Sequence, residues 1–222
     1  AVLGYRAALL PWRPAMILMA VAVSGLVLTG FFSLLLLFVL LRKGQRGAGK
    51  FCLLAAGVSL PALIGVLVIG LQGTKAPLIN DISTDTTNPP HFQKTRQLRQ
   101  PGDNSTDYPG ERAANQQRQA YPDIGPLTVS SALPAAFEKS RAVAEQLGWH
   151  IVAQNPEQGL IEAVDRSLIF GFTDDIVIRI TSSGSGSRID IRSASRAGLG
   201  DLGVNAKRIR TFLATYNTMH IP

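Results

Sequence analysis

At 222 residues the chain is longer than one average domain, and 46% of it is hydrophobic. Its formal charge of +7 comes entirely from one end: residues 1–77 carry Arg6, Arg13, Arg42, Lys43, Arg46, Lys50 and Lys75 and no Asp or Glu, which leaves 15 basic and 15 acidic residues for 78–222. A neutral remainder excludes nucleic acid as a partner, because phosphate binding needs surplus positive charge, and the single cysteine, Cys52, excludes a disulfide-stapled scaffold.

In chain order, residues 1–14 read as an interfacial segment, with Tyr5, Trp12 and two prolines. The chain opens on Ala rather than Met, and a further hydrophobic helix is expected ahead of it. Residues 15–41 are uncharged and rich in Leu, Val, Ala and Phe, enough for a helix of about 40 Å against a hydrocarbon core of about 30 Å. A second uncharged run, 51–71, contains Gly57, Pro61, Gly65 and Gly70, which lipid-embedded helices tolerate better than soluble ones. Together 15–72 predict a transmembrane helical hairpin. Its loop, 42–50, holds Arg42, Lys43, Arg46 and Lys50 and is expected in the cytoplasm by the positive-inside rule. The second helix then delivers the rest of the chain to the opposite side, which in a Gram-negative inner membrane is the periplasm.

Residues 73–126 are rich in Pro, Asn, Gln, Asp and Thr without periodicity, and predict an extended irregular arm packed on its own domain or on a partner. The remainder, 127–222, predicts an α+β domain. Strands are expected at 127–130, 150–154, 160–165, 175–181 and 187–193. A helix over 134–147 places Phe137, Ser140, Ala144 and Leu147 on one stripe, and a second over 204–216 does the same for Ile209, Phe212, Leu213 and Tyr216. Ile176, Ile178 and Ile180 share one strand face, as do Ile189 and Ile191, and Ser182-Ser-Gly-Ser-Gly186 joins the two strands as a hairpin. The expected packing is an antiparallel sheet with two helices on one face and solvent on the other.

Four stretches carry a family resemblance: Ser167-Leu-Ile-Phe-Gly-Phe-Thr-Asp-Asp-Ile-Val-Ile-Arg179, Ile189-Asp-Ile-Arg-Ser-Ala-Ser-Arg-Ala-Gly-Leu-Gly-Asp-Leu-Gly-Val-Asn-Ala-Lys-Arg-Ile209, Asn80-Asp-Ile-Ser-Thr-Asp-Thr-Thr-Asn-Pro-Pro90 and Tyr121-Pro-Asp-Ile-Gly-Pro126. Over 78–216 the chain resembles the bacterial membrane-anchored members of domain-of-unknown-function family 1499. That resemblance implies a bacterial envelope or organellar protein and assigns no chemistry.

The strongest site candidate is the Gly-rich crossover between the last strand and the last helix. Arg192, Ser193, Ser195, Arg196, Asp201, Asn205 and Arg208 lie around Gly198, Gly200 and Gly203 there. Backbone amides opening a helix between arginines suit an anion such as phosphate or carboxylate. The competing structural reading has Asp201 capping the helix and pairing with an arginine, while Asn205 and Arg208 brace the turn. Asp174 and Asp175, adjacent in a strand, point to opposite faces, which speaks against joint acid–base work and for an ion pair to Arg192 or Arg196. A divalent cation would need further donors from Asp165, Asp190 or Asp201. Ser193 and Ser195 have no base within sequence reach, and His91, His150 and His220 are scattered. No metal or cofactor is expected.

These readings converge on a non-catalytic accessory or assembly subunit of a bacterial inner-membrane complex, whose partners are the bilayer and other membrane subunits. A periplasmic module binding an anionic small molecule or lipid headgroup is the alternative.

Overall fold

A computed structural model describes residues 1–7, 9–73, 76–168 and 170–220, except for the side chains of Arg46, Ala48 and Gln72. The chain divides into two units, Ala1–Lys75 and Ala76–Pro222.

The first unit comprises α1 (Val2–Arg6), α2 (Trp12–Arg42) and α3 (Arg46–Gly73). Both long helices exceed the expected apolar spans of 15–41 and 51–71, because backbone hydrogen bonding continues into the polar flanks after hydrophobicity ends. Both are long and apolar enough to cross a membrane. Where α2 and α3 meet the residues are small: a Cβ added to Gly30 would lie 2.8 Å from the Ser59 Cβ. Ser59 keeps its hydroxyl satisfied by donating to the Ala55 carbonyl at 2.9 Å. Small residues at the seam let the backbones approach, which is how helices associate where no hydrophobic driving force exists. The large side chains, among them Leu28, Phe31, Phe38, Leu54 and Ile69, point outward and are exposed.

The second unit contains β1 (Asp81–Ser83), α4 (Lys94–Leu98), α5 (Glu111–Ala120), β2 (Leu127–Val129), α6 (Leu133–Gln146), β3 (His150–Asn155), β4 (Leu160–Arg166), β5 (Thr173–Ser183), β6 (Gly186–Ser195) and α7 (Val204–Thr218). It is α+β: the sheet is antiparallel, ordered β1-β6-β5-β4-β3, with β2 pairing β6 farther along the same edge as β1. Odd-numbered positions of β6 and even-numbered positions of β5 face α6 and α7. Ile176, Ile178, Ile189 and Ile191 accordingly pack with Phe137 of α6 and with Ile209, Phe212 and Tyr216 of α7. Trp149 stacks on Phe212 at 5.7 Å between ring centroids. In the turn before β4, Gly159 has φ +62, and a Cβ there would lie 2.1 Å from the Ile180 carbonyl oxygen, so only glycine lets the turn approach β5 this closely.

Two expectations need correction. The arm expected over 73–126 does pack on its own domain, one of the two places open to it, but it is not irregular throughout and no boundary falls at 127: it supplies β1, α4 and α5, and from Ala76 onward it belongs to the same compact unit as the sheet. Nor is the second face of the sheet solvated. Phe92 packs there on Val177, Ala194 and Leu160, and α4 is seated on the face by Glu162. That buried β4 carboxylate accepts backbone N–H bonds from Gln93 at 3.0 Å, Lys94 at 2.8 Å and Thr95 at 2.9 Å, and the Thr95 hydroxyl at 2.7 Å. A segment held this way shows no hydrophobic period, because its partners are polar groups far away in sequence. The edge at β1 is closed by α5: the Gln117 amide accepts from the Ser83 N–H at 2.9 Å and donates to the Ser83 carbonyl at 2.7 Å, as a neighbouring strand would.

Candidate functional site

Strand alternation divides the seven predicted site residues between the two faces of the sheet, so they do not meet at one point. On the face covered by residues 84–108, Arg192 is fully buried. Its guanidinium donates to both Asp81 oxygens, at 2.9 and 2.6 Å, and to the carbonyls of Pro90 at 3.1 Å and Thr106 at 2.9 Å. It also lies 4.5 Å from the Phe92 ring centroid and 5.4 Å from that of Tyr108. Burial pushes the Asp81 carboxyl above its ordinary range, against the pull of Arg192. Four positions on and on the same face, Arg196 donates to Asp175 at 3.0 and 2.7 Å, and Arg99 reaches the other Asp175 oxygen at 2.7 Å. Asp175 is likewise pushed upward by burial, opposed by those two arginines.

Beneath α7, the remaining residues form a second polar cluster. The Ser193 hydroxyl donates to Asn205 Oδ1 at 2.6 Å, and Asn205 Nδ2 donates to Ser195 Oγ at 2.9 Å and to the Asn80 carbonyl at 3.0 Å. Arg208 donates to Asn205 Oδ1 at 2.6 Å and Ser193 Oγ at 3.0 Å through one nitrogen, and to Asp165 and Asp174, both at 2.8 Å, through another. Asp201 caps α7, accepting the backbone N–H of Gly203 at 2.9 Å and of Asn205 at 2.6 Å. Those amides are therefore taken by a carboxylate of the chain itself, and burial raises the Asp201 pKa in spite of them.

Asp174 and Asp175 face opposite sides, as strand geometry requires. Asp175 takes Arg196, while Arg192 takes Asp81, a partner 111 residues away that sequence spacing did not reveal. Among the described residues the hydroxyls of Ser193 and Ser195 bond to Asn205 and Arg208 and not to a histidine. Among the described residues no three His, Cys, Asp or Glu side chains converge as metal ligands do.

Two clefts open near these clusters. One, of about 430 Å³, is lined by Asn80, Asp81, Asn104, Asp107, Tyr108 and Ser195. The other, of about 500 Å³, is lined by Lys94, His150, Arg166 and Arg196 with Leu98 and Val164, and no carboxylate lines it. Sequence reasoning found only Arg196 of this set; the sheet register brings His150 and Arg166 beside it, and the seating of α4 on Glu162 brings Lys94.

The Tyr108 hydroxyl is buried without a hydrogen-bond partner among the described residues. Burial, reinforced by Asp81, pushes its pKa to about 12. An unfolded chain releases this proton near pH 10, so between pH 10 and 12 the folded state holds more protons, and stability falls as pH rises through that window. Because the ring is not wholly buried, the expected loss is discounted to about 1–2 kcal/mol. Tyr108→Phe should leave stability near pH 8 nearly unchanged and reduce the loss between pH 10 and 12 by that amount, read by urea unfolding of both proteins at each pH.

Comparison with solved structures finds a likeness to CalU16 from Micromonospora echinospora, at 10% identity over 42% of this chain and 73% of that one, with a TM-score of 0.30. A search among curated relatives finds no match. A family match covers residues 81–215, which takes in the sheet, the segment laid across it and most of α7. The chain belongs to the family described as protein of unknown function DUF1499.

Proposed function

We propose that the chain is a non-catalytic accessory or assembly subunit of a bacterial inner-membrane protein complex, with α2 and α3 spanning the bilayer, residues 42–50 in the cytoplasm and the 76–222 unit in the periplasm. The observation that carries this reading is the fate of the buried charge. Arg192, Arg196 and Arg208 are each neutralised by carboxylates of the same chain, the Ser193 hydroxyl donates to Asn205, and the Ser195 hydroxyl accepts from it. Such polar groups hold a shape, whereas catalytic groups need a substrate-facing position and a perturbing partner. The basic loop and acid-free membrane segment support the orientation.

Two measurements test it. Protease added to intact spheroplasts should cut within 76–222 and spare 42–50; the reverse pattern overturns the orientation. Purification from native membranes under mild detergent should retain a second membrane protein, and a free monomer as the sole species overturns the accessory role.

A second reading rests on the carboxylate-free cleft of Lys94, His150, Arg166 and Arg196. There the domain would take an anionic small molecule or headgroup, with phosphate or carboxylate seated between Lys94 and Arg166. Phosphate-bearing ligands should then raise the melting temperature of the full chain, and Arg166→Ala should abolish the rise. No rise with any of them removes this reading.

A further inference from the structure

One end of the sheet collects apolar side chains that the fold leaves uncovered. The register Asp81↔Ala194, Asp174↔Ser195, Arg166↔Thr173 and His150↔Val164 puts the start of β1, the end of β6, the β4–β5 turn and the start of β3 at that end. Leu78 enters there 70% exposed, the β4–β5 turn carries Leu168 at 90%, and the crossover to α7 carries Leu199 at 76% with Leu202 and Val204 near half exposure. Leu78 and the crossover are immediate neighbours. The Asp201 N–H donates to the Ile79 carbonyl at 3.3 Å, and a Cβ on Gly200 would lie 3.0 Å from Leu78 Cδ1. The opposite end, by contrast, closes on the polar turns Pro156–Gly159 and Ser183–Gly186.

We infer that this end of the domain docks on the surface of the same bilayer that holds the helical hairpin, seating Leu78, Leu168, Leu199 and Leu202 among the lipid headgroups. The inference rests on the membrane-anchored reading given above. Chain length selects the occupant: the five residues from Gly73, the last of α3, to Leu78 reach at most about 18 Å in any conformation, so Leu78 stays within that reach of the end of the anchor. Charge agrees. Lys94 and Arg166 are exposed and line the cleft that opens at this end beside the β4–β5 turn, so positive charge adjoins the Leu168 tip. Apolar side chains beside cations are the composition by which a surface element holds to a bilayer with anionic headgroups.

The test uses the full chain in vesicles of phosphatidylethanolamine and phosphatidylglycerol, in a Cys52→Ala background, with an environment-sensitive fluorophore on one introduced cysteine at a time. Leu199→Cys and Leu168→Cys report the docking end, Ser185→Cys the opposite end, and Leu35→Cys the anchor. For tips seated about 5–10 Å into the headgroup boundary, brominated acyl chains should quench the labels at 199 and 168 roughly twofold and leave that at 185 unchanged. Quenching at 35 without quenching at 199 and 168 overturns the docking and leaves the anchor standing. Absence of quenching at 35 overturns both. Labels at 199 and 168 that stay unquenched in lipid alone, and are shielded only when native membrane proteins are present, assign the patch to a protein partner and overturn the inference.

Discussion

Replacing Arg192 by alanine is expected to lower the stability of the 76–222 unit by about 3–5 kcal/mol, the usual cost of leaving one partner of a buried ion pair behind. The guanidinium is fully buried and serves four acceptors: both Asp81 oxygens and the carbonyls of Pro90 and Thr106. Its loss strands Asp81, which is itself buried and already above its ordinary pKa. It also removes the donor that ties residues 90 and 106 to the centre of β6. For a domain of this size the melting temperature should fall by about 10 °C. Trp149, buried against Phe212, gives a fluorescence readout inside the domain. Limited proteolysis should also show faster cleavage within 84–108 than in the parent. An unchanged melting temperature would mean that the pair contributes nothing net.

Arg192→Lys separates charge from geometry. An ammonium keeps the charge but cannot match the two-pronged contact to Asp81 while also reaching Pro90 and Thr106, so it should recover only part of the loss. The double replacement Arg192→Met with Asp81→Leu removes both charges. It should also recover part but not all, since the carbonyls of Pro90 and Thr106 keep no replacement donor.

Strands β5 and β6 were legible because their isoleucines alternate against a single apolar core, and α7 because Ile209, Phe212 and Tyr216 recur at helical spacing on that same core. The helical hairpin was legible from length and the absence of charge, although its ends were not, since a helix stops where its hydrogen bonds stop. Residues 76–126 were opaque for a different reason. They are fixed by single polar contacts across long separations, such as Glu162 to the amides of 93–95, Arg192 to Asp81 and Asn104 to the Ser195 carbonyl. No local period encodes such contacts. The same polarity misled the reading of the sheet, because charged residues on alternate strand positions imitate a solvated face when their partners are distant. Within the site, Asp201 as a cap was legible from its place before α7, whereas its expected arginine partner was not found: both its oxygens go to backbone amides.

Arg208 provides the second large effect and bears directly on what the crossover is for. Its guanidinium joins β4, β5, β6 and α7 through Asp165, Asp174, Ser193 and Asn205. Arg208→Met keeps most of the volume and removes every one of those donors. Asp165 is about one-third exposed and can turn to water, but Asp174 and Asn205 are buried and cannot. The expected loss is therefore about 3 kcal/mol, the low end for a broken buried pair. Adding Asp174→Asn to Arg208→Met should return part of it, because an amide without a partner costs less to bury than a carboxylate. The dependence on phosphate distinguishes the two roles argued for this residue. A structural clamp gives the same drop in melting temperature with and without added phosphate. An anion ligand gives a small drop in plain buffer, together with loss of a phosphate-induced rise that the parent shows. With Asp165 and Asp174 already holding one side of the guanidinium and Ser193 and Asn205 the other, an added anion would have to break two ion pairs to enter, and the phosphate-independent drop is the expected result.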